Sequence, residues 1–197
     1  GSDRCEHSLE AESLGFASAT AVVLAGGLGT RLRSLIADRP KVLAPVRGRP
    51  FLEHLLDQLA DSGIERVVLC TGYRGEQVQA TFGDSYRSLR LVYSREAVPL
   101  GTAGALRSAI PLFESDPVLV MNGDSLSQVN LKELWTWHRA KQASATVLLT
   151  CSDDTRRYGR AQVDVEGRVL AFVEKGHEAG PGWISAGVYV LDACLLR

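Results

Sequence analysis

A continuous apolar run, Ala21-Val22-Val23-Leu24-Ala25, closes on Gly26-Gly27, and it restricts the fold more than any other feature of the chain. A strand wetted on one face alternates apolar and polar residues, whereas one that is apolar throughout is covered on both faces, as in a parallel sheet. Residues 67–70 and 118–121 have the same character. Helical patterns stand between these runs. Leu52, Leu55, Leu56 and Leu59 recur at the i, i+3, i+4, i+7 spacing, with Pro50 near the start and Gly63 as the stop. Asn130 and Glu133 make a capping-box-like start for a helix over 131–142. Strands alternating with helices imply right-handed crossovers and a three-layer, Rossmann-like α/β domain.

The last third reads differently. Ala161, Val163 and Val165 alternate with Arg160, Gln162 and Asp164, Glu166-Gly167 offers a turn, and 169–174 returns as an antiparallel hairpin. A further strand over 183–191 makes the sheet mixed though mostly parallel, and 192–197 can begin a helix. Residues 1–19 form a leader, small and polar without periodicity, whose Gly1-Ser2 start without an initiator Met is read as a cloning scar; the domain covers 20–197.

Composition removes several function classes. The 197 residues carry 22 Lys and Arg against 23 Asp and Glu, a net charge of -1. Coating nucleic acid needs an excess of cations to displace counterions, so that role is excluded. Cys5, Cys70, Cys151 and Cys194 form no Cys-x-x-Cys pair, which leaves a zinc or redox motif unsupported, and Cys70 reads as a buried, reduced thiol. With no apolar run of the ~18 residues that span a bilayer and no signal-peptide pattern, no membrane role and a cytoplasmic location are expected. His138 shares an apolar helical face with Leu131, Leu134 and Trp135, so it is expected in the core.

In open parallel sheets ligands bind beyond the carboxyl ends of the strands. There the chain reads Gly26-Gly27-Leu28-Gly29-Thr30-Arg31-Leu32. Glycines let backbone N–H groups approach a phosphate closely. Leu32 stands where the dinucleotide fingerprint needs Gly, and no Gly-Lys-Ser/Thr follows, so this is neither a dinucleotide loop nor a Walker loop. On its own the segment fits either a plain tight turn or an anion cradle. Arg31 and Lys41, in Pro40-Lys41-Val42-Leu43-Ala44-Pro45-Val46, favour the cradle because each can neutralise phosphate oxygens.

On these two segments the sequence resembles the sugar-1-phosphate nucleotidylyltransferases, over residues 20–191. The resemblance implies that Leu24, Gly26, Gly27, Gly29 and Thr30 hold the nucleotide, that Arg31 contacts the leaving pyrophosphate, and that Lys41 contacts phosphate groups. Leu100-Gly101-Thr102-Ala103-Gly104-Ala105 resembles the family loop against the base and sugar, giving roles to Gly101 and Thr102; read by itself it is a helix start with Thr102 as a weak cap. In Asn122-Gly123-Asp124, Asn122 joins the nucleotide site and Asp124 matches the strand-end carboxylate that holds Mg²⁺. A carboxylate at a sheet's carboxyl edge suits a hard cation bridging phosphates. Tyr158, Gly159, Glu174, Lys175 and Ser185 fall in the family's sugar-binding half, with Glu174 toward sugar hydroxyls and Lys175 toward the sugar phosphate.

Two departures stand out: Ser185 replaces the family's usual Asn, and a second metal-binding Asp is expected beyond Arg197, where the chain stops as if truncated. The implied reaction is NTP plus sugar 1-phosphate giving NDP-sugar and pyrophosphate. The resemblance is strongest to guanylyltransferases using GTP, particularly those acting on D-glycero-D-manno-heptose 1-phosphate. Mannose-1-phosphate guanylyltransferases and hexose-1-phosphate uridylyltransferases stay open, as does a catalytically impaired nucleotide-sugar-binding module. A homo-oligomer is compatible with all of them.

Overall fold

The run that opens at Thr20 lies at the centre of the sheet, as its unbroken apolar character requires. The computed structural model describes residues 15–27, 39–156, 158–173 and 180–197. Along the chain come β1 (Thr20–Leu24), the hairpin β2 (Pro45–Val46) and β3 (Arg49–Pro50), α1 (Phe51–Ser62), β4 (Arg66–Thr71), α2 (Gly75–Phe82), β5 (Ser85–Tyr86) and β6 (Leu89–Arg95). They are followed by α3 (Gly101–Ala109), β7 (Val118–Asn122), α4 (Leu131–Lys141), β8 (Ala145–Ser152), β9 (Arg160–Val163), β10 (Val169–Val173) and β11 (Gly182–Leu191). Short 3-10 turns occupy Lys41–Leu43, Ile110–Leu112 and Ala193–Leu196.

Among the described residues, nine strands form the main sheet. Its centre, β7-β1-β4-β6, is parallel. Its margins are antiparallel: β5 on β6 at one side, and β11 on β7 at the other, with β8 and β9 on β11 and β10 on β9.

Period-two alternation divides the central strands between two cores. Ala21, Val23, Val67, Leu69, Leu119 and Met121 meet α1, α2 and α4 on one face. Val22, Val68, Cys70, Val118 and Val120 meet α3 on the other. That is the three-layer arrangement. Leu52, Leu55, Leu56 and Leu59 of α1 are fully buried, each worth about 1.5–3 kcal/mol of transfer free energy. Gly63, at φ 89°, ends that helix in the left-handed conformation that glycine adopts without strain.

Asn130 caps α4 by accepting the N–H groups of Lys132 and Glu133, and Gln142 provides the left-handed stop. The expected hairpin is β9–β10. Residues 193–196 close in a single 3-10 turn rather than the start of an α-helix. The first core begins before β1: Phe16 is buried and packs edge-on against Trp135, with ring centroids 5.9 Å apart. His138 is buried as expected, its Nδ1 2.9 Å from Thr146 Oγ1 and its Nε2 3.3 Å from Asp192 Oδ1. Among the described residues no helix is long and apolar enough to cross a membrane.

Candidate active site

The parallel centre brings the carboxyl ends of β1, β4, β6 and β7 side by side, and backbone hydrogen bonds join the loops that leave them. Ala25 N–H donates to Cys70 O at 2.8 Å, Gly123 N–H to Leu24 O at 2.9 Å, and Glu96 N–H to Thr71 O at 2.8 Å. The approach is close enough to demand glycine at one point in particular. A Cβ on Gly123 would lie 2.6 Å from Leu24 O, a backbone atom with nowhere to go.

These ends open into a cavity of about 470 Å³. Leu24, Gly26 and Gly27 line it from β1, Asn122 and Asp124 from β7, and Gly101 and Thr102 from the first turn of α3. Lys41 enters from the 3-10 turn. The positive end of α3 and the glycine backbone therefore share one space with a cation, a combination suited to an anionic ligand.

Lys41 Nζ donates to Asp124 Oδ2 at 2.8 Å, with the two side chains 34% and 48% exposed. Partial burial pushes the Asp124 carboxyl up, but the hydrogen bond and charge of Lys41, helped by Ser125, outweigh it and hold it below the ordinary carboxylate range. Asp124 is thus ionised at neutral pH and carries the charge that a cation needs. Among the described residues no group of three or more His, Cys, Asp or Glu could hold a metal. The donor set still fits Mg²⁺, which is commonly held by one or two carboxylates with substrate phosphates completing its octahedron.

Glu96, to which no sequence motif assigns a role, also lines the cavity. Its Oε2 accepts the Leu100 N–H at 3.0 Å, and its Oε1 lies 3.0 Å from where a Cβ on Gly26 would stand. Leu100 holds the N-cap position of α3, so Thr102 is not the cap expected of it; its place inside the first turn turns it toward the cavity instead. The available signal was positional: a carboxylate one residue beyond the end of a parallel strand. Cys70, beneath the site, is buried, and burial with the nearby Glu96 charge pushes its thiol up to about 12, so it remains protonated.

The residues expected on the sugar side lie apart from this cavity or outside the described residues. Tyr158 is exposed, and Tyr158, Gly159 and Ser185 are not among the residues lining the cavity. Ser185 Oγ stands 2.9 Å from Tyr189 OH and accepts the Gly187 N–H at 3.2 Å. Gly29, Thr30, Arg31, Glu174 and Lys175 lie outside the described residues.

Residues 20–197 match the nucleotidyl transferase family. The chain belongs to it. Among similar members, the mannose-1-phosphate guanylyltransferase of Mycobacterium tuberculosis is 42% identical over 173 residues, covering 87% of this chain and 48% of that protein. The D-glycero-alpha-D-manno-heptose 1-phosphate guanylyltransferase of Aneurinibacillus thermoaerophilus is 37% identical over 177 residues, covering 90% and 76%. This nucleotidyl transferase thus spans about half the length of the first and about three quarters of the second. Its fold is similar to the crystal structure of HddC from Yersinia pseudotuberculosis complexed with GMP-PN, with a TM-score of 0.78 and 31% identity over 90% of this chain and 78% of that one.

Proposed function

We propose that this nucleotidyl transferase joins GTP to a sugar 1-phosphate, with D-glycero-D-manno-heptose 1-phosphate the favoured partner, releasing GDP-sugar and pyrophosphate. The observation that carries the reading is one cavity with a cation–carboxylate pair, Lys41–Asp124, and a second carboxylate, Glu96, beside the first turn of α3. The pair suits the phosphates. Glu96 suits guanine, whose N1–H and N2–H₂ are adjacent donors for one carboxylate. Uracil offers one N–H flanked by two carbonyl oxygens, which a carboxylate would repel. Relatives named for both heptose and mannose 1-phosphate support a guanylyltransferase.

An oxygen of the sugar phosphate bonds to the α-phosphorus while the bond to the β-phosphate's bridging oxygen breaks, and pyrophosphate leaves with that electron pair. The nucleophile is already ionised near neutral pH, so no general base is needed. Lys41 and the glycine backbone hold the polyphosphate and offset repulsion between the two anionic substrates, and Asn122 and Thr102 orient the nucleotide. A divalent cation, Mg²⁺ by the chemistry of a lone carboxylate with phosphates, would be held by Asp124 and would supply positive charge to the phosphate oxygens. Arg31 and Lys175 would add cations and Glu174 would meet the sugar hydroxyls.

Pyrophosphate release across a matrix of nucleoside triphosphates and sugar 1-phosphates tests the proposal. GTP with the heptose phosphate should be the best pair, and Asp124→Asn should reduce its rate by roughly 10²–10³. Nucleotide binding with no release from any pair would instead favour a nucleotide-sugar-binding module.

A further inference from the structure

Both oxygens of Asp124 are engaged by the protein itself. Oδ2 accepts from Lys41 Nζ at 2.8 Å, and Oδ1 accepts from Ser125 Oγ at 3.3 Å. A divalent cation held by Asp124 would have to share this one carboxylate with the ammonium, and two cations so close together repel. The ammonium and a metal therefore compete for Asp124. A triphosphate in the same cavity would offer Lys41 an alternative anion, since Lys41 faces the same space as Gly26, Gly27 and the first turn of α3.

We propose that Lys41 and Asp124 exchange partners during loading: Lys41 keeps divalent cations off Asp124 until a triphosphate draws the ammonium away, so the site takes metal with the nucleotide and not before it. The inference rests on the reading of Asp124 as a cation ligand and Lys41 as a phosphate ligand. It adds the coupling between them. In the exchange the ammonium passes from the carboxylate to phosphate as the divalent cation takes its place, so each anion keeps a cationic partner. Coupling of this kind is reciprocal: whatever favours the metal on Asp124 favours the nucleotide on Lys41 by the same factor.

The test measures each half without turnover. Free Mn²⁺ is followed by electron paramagnetic resonance in titrations of the unaltered chain, Lys41→Met, Lys41→Gln and the double variant Lys41→Met/Asp124→Asn. Metal-free GTP binding, in the presence of a chelator, is measured for the unaltered chain, Asp124→Asn and Lys41→Met. With the competing ammonium removed, both Lys41 variants should bind Mn²⁺ about three- to tenfold tighter, and the double variant should lose that gain. Asp124→Asn should bind metal-free GTP tighter by a similar factor, because Lys41 is then released to the phosphates.

Mn²⁺ affinity unchanged in both Lys41 variants would overturn the exchange and leave the metal site itself standing. Tighter Mn²⁺ binding that persists in the double variant would place the cation elsewhere, ending Asp124 as its ligand. Metal-free GTP binding unaffected by Lys41→Met would end Lys41 as a phosphate ligand, and the exchange with it.

Discussion

The Asn122 side chain fills the space that a Cβ on Gly187 would need, its Nδ2 2.9 Å and its own Cβ 3.1 Å from that point. Gly187 has φ +78°, and the pairing of β11 with β8 shifts register between Ser185 and Tyr189 around it. A register shift in the antiparallel margin thus seats a residue that lines the cavity. Gly187→Ala should cost about 1–2 kcal/mol in the left-handed conformation alone, lowering Tm by roughly 2–8 °C. Because Asn122 must also move, the KM for GTP should rise several-fold, as steady-state kinetics will measure. A lowered Tm with an unchanged KM would separate Asn122 from nucleotide binding.

Glu96 gives a prediction about base choice. Glu96→Gln keeps the shape of the side chain and replaces one acceptor with a donor, so guanine loses part of its match while a pyrimidine carbonyl gains one. The ratio of kcat/KM for GTP over UTP should fall by about tenfold or more, since 1.4 kcal/mol corresponds to tenfold and a hydrogen bond to a charged group contributes about that much. An unchanged ratio would remove Glu96 from base selection.

Much of this site was legible because its physics is local in sequence. β1, β4 and β7 each hold an unbroken apolar run, at 21–24, 67–70 and 118–121, with Gly26-Gly27 just beyond the first and Asn122-Gly123-Asp124 closing the last. β6 and β8 escaped notice for the opposite reason. Leu89–Arg95 mixes Arg90, Ser94 and Arg95 with its apolar residues, and Ala145–Ser152 is only partly buried, so neither presents a continuous run. Missing β6 meant missing Glu96, which the end of that strand positions. The Lys41–Asp124 contact spans 83 residues, and no pattern along the chain reports which cation meets which carboxylate.

Asp57 should carry part of the response to acid. It accepts from Arg49 Nη2 at 2.8 Å, Tyr86 OH at 2.8 Å and Arg87 Nη1 at 3.3 Å, joining α1 to β3 and β5. Burial pushes its carboxyl up, but hydrogen bonds from Arg49, Tyr86 and Arg87 outweigh it and hold it below the ordinary range. As pH falls the unfolded chain therefore takes up this proton before the folded one, and the stabilisation present above the ordinary carboxylate pKa of about 3.9 is lost on descent through the folded value. Thermal unfolding from about pH 6 down to about pH 3 should show a smaller decline in Tm for Asp57→Asn than for the unaltered chain. Parallel declines would show that Asp57 contributes no acid sensitivity.

His138 has a structural role that kinetics and stability can separate. Replacing it with Ala removes buried contacts and leaves Thr146 and Asp192 without the ring between them. A loss of about 1–3 kcal/mol in denaturant unfolding is expected, with kcat/KM unchanged at temperatures where the variant is folded. A large fall in kcat would instead bring His138 into the chemistry.

In the proposed function, one cavity at the carboxyl ends of β1 and β7 binds the triphosphate around Lys41 and the base beside Glu96. The deciding measurement is a crystal structure of the chain with a non-hydrolysable GTP analogue and Mg²⁺. Phosphate oxygens should lie on the Gly26-Gly27 backbone and Lys41 Nζ, the cation on Asp124, and guanine N1–H and N2–H₂ against the Glu96 carboxylate. Nucleotide bound away from this cavity, with Lys41 still on Asp124, would overturn the proposed function.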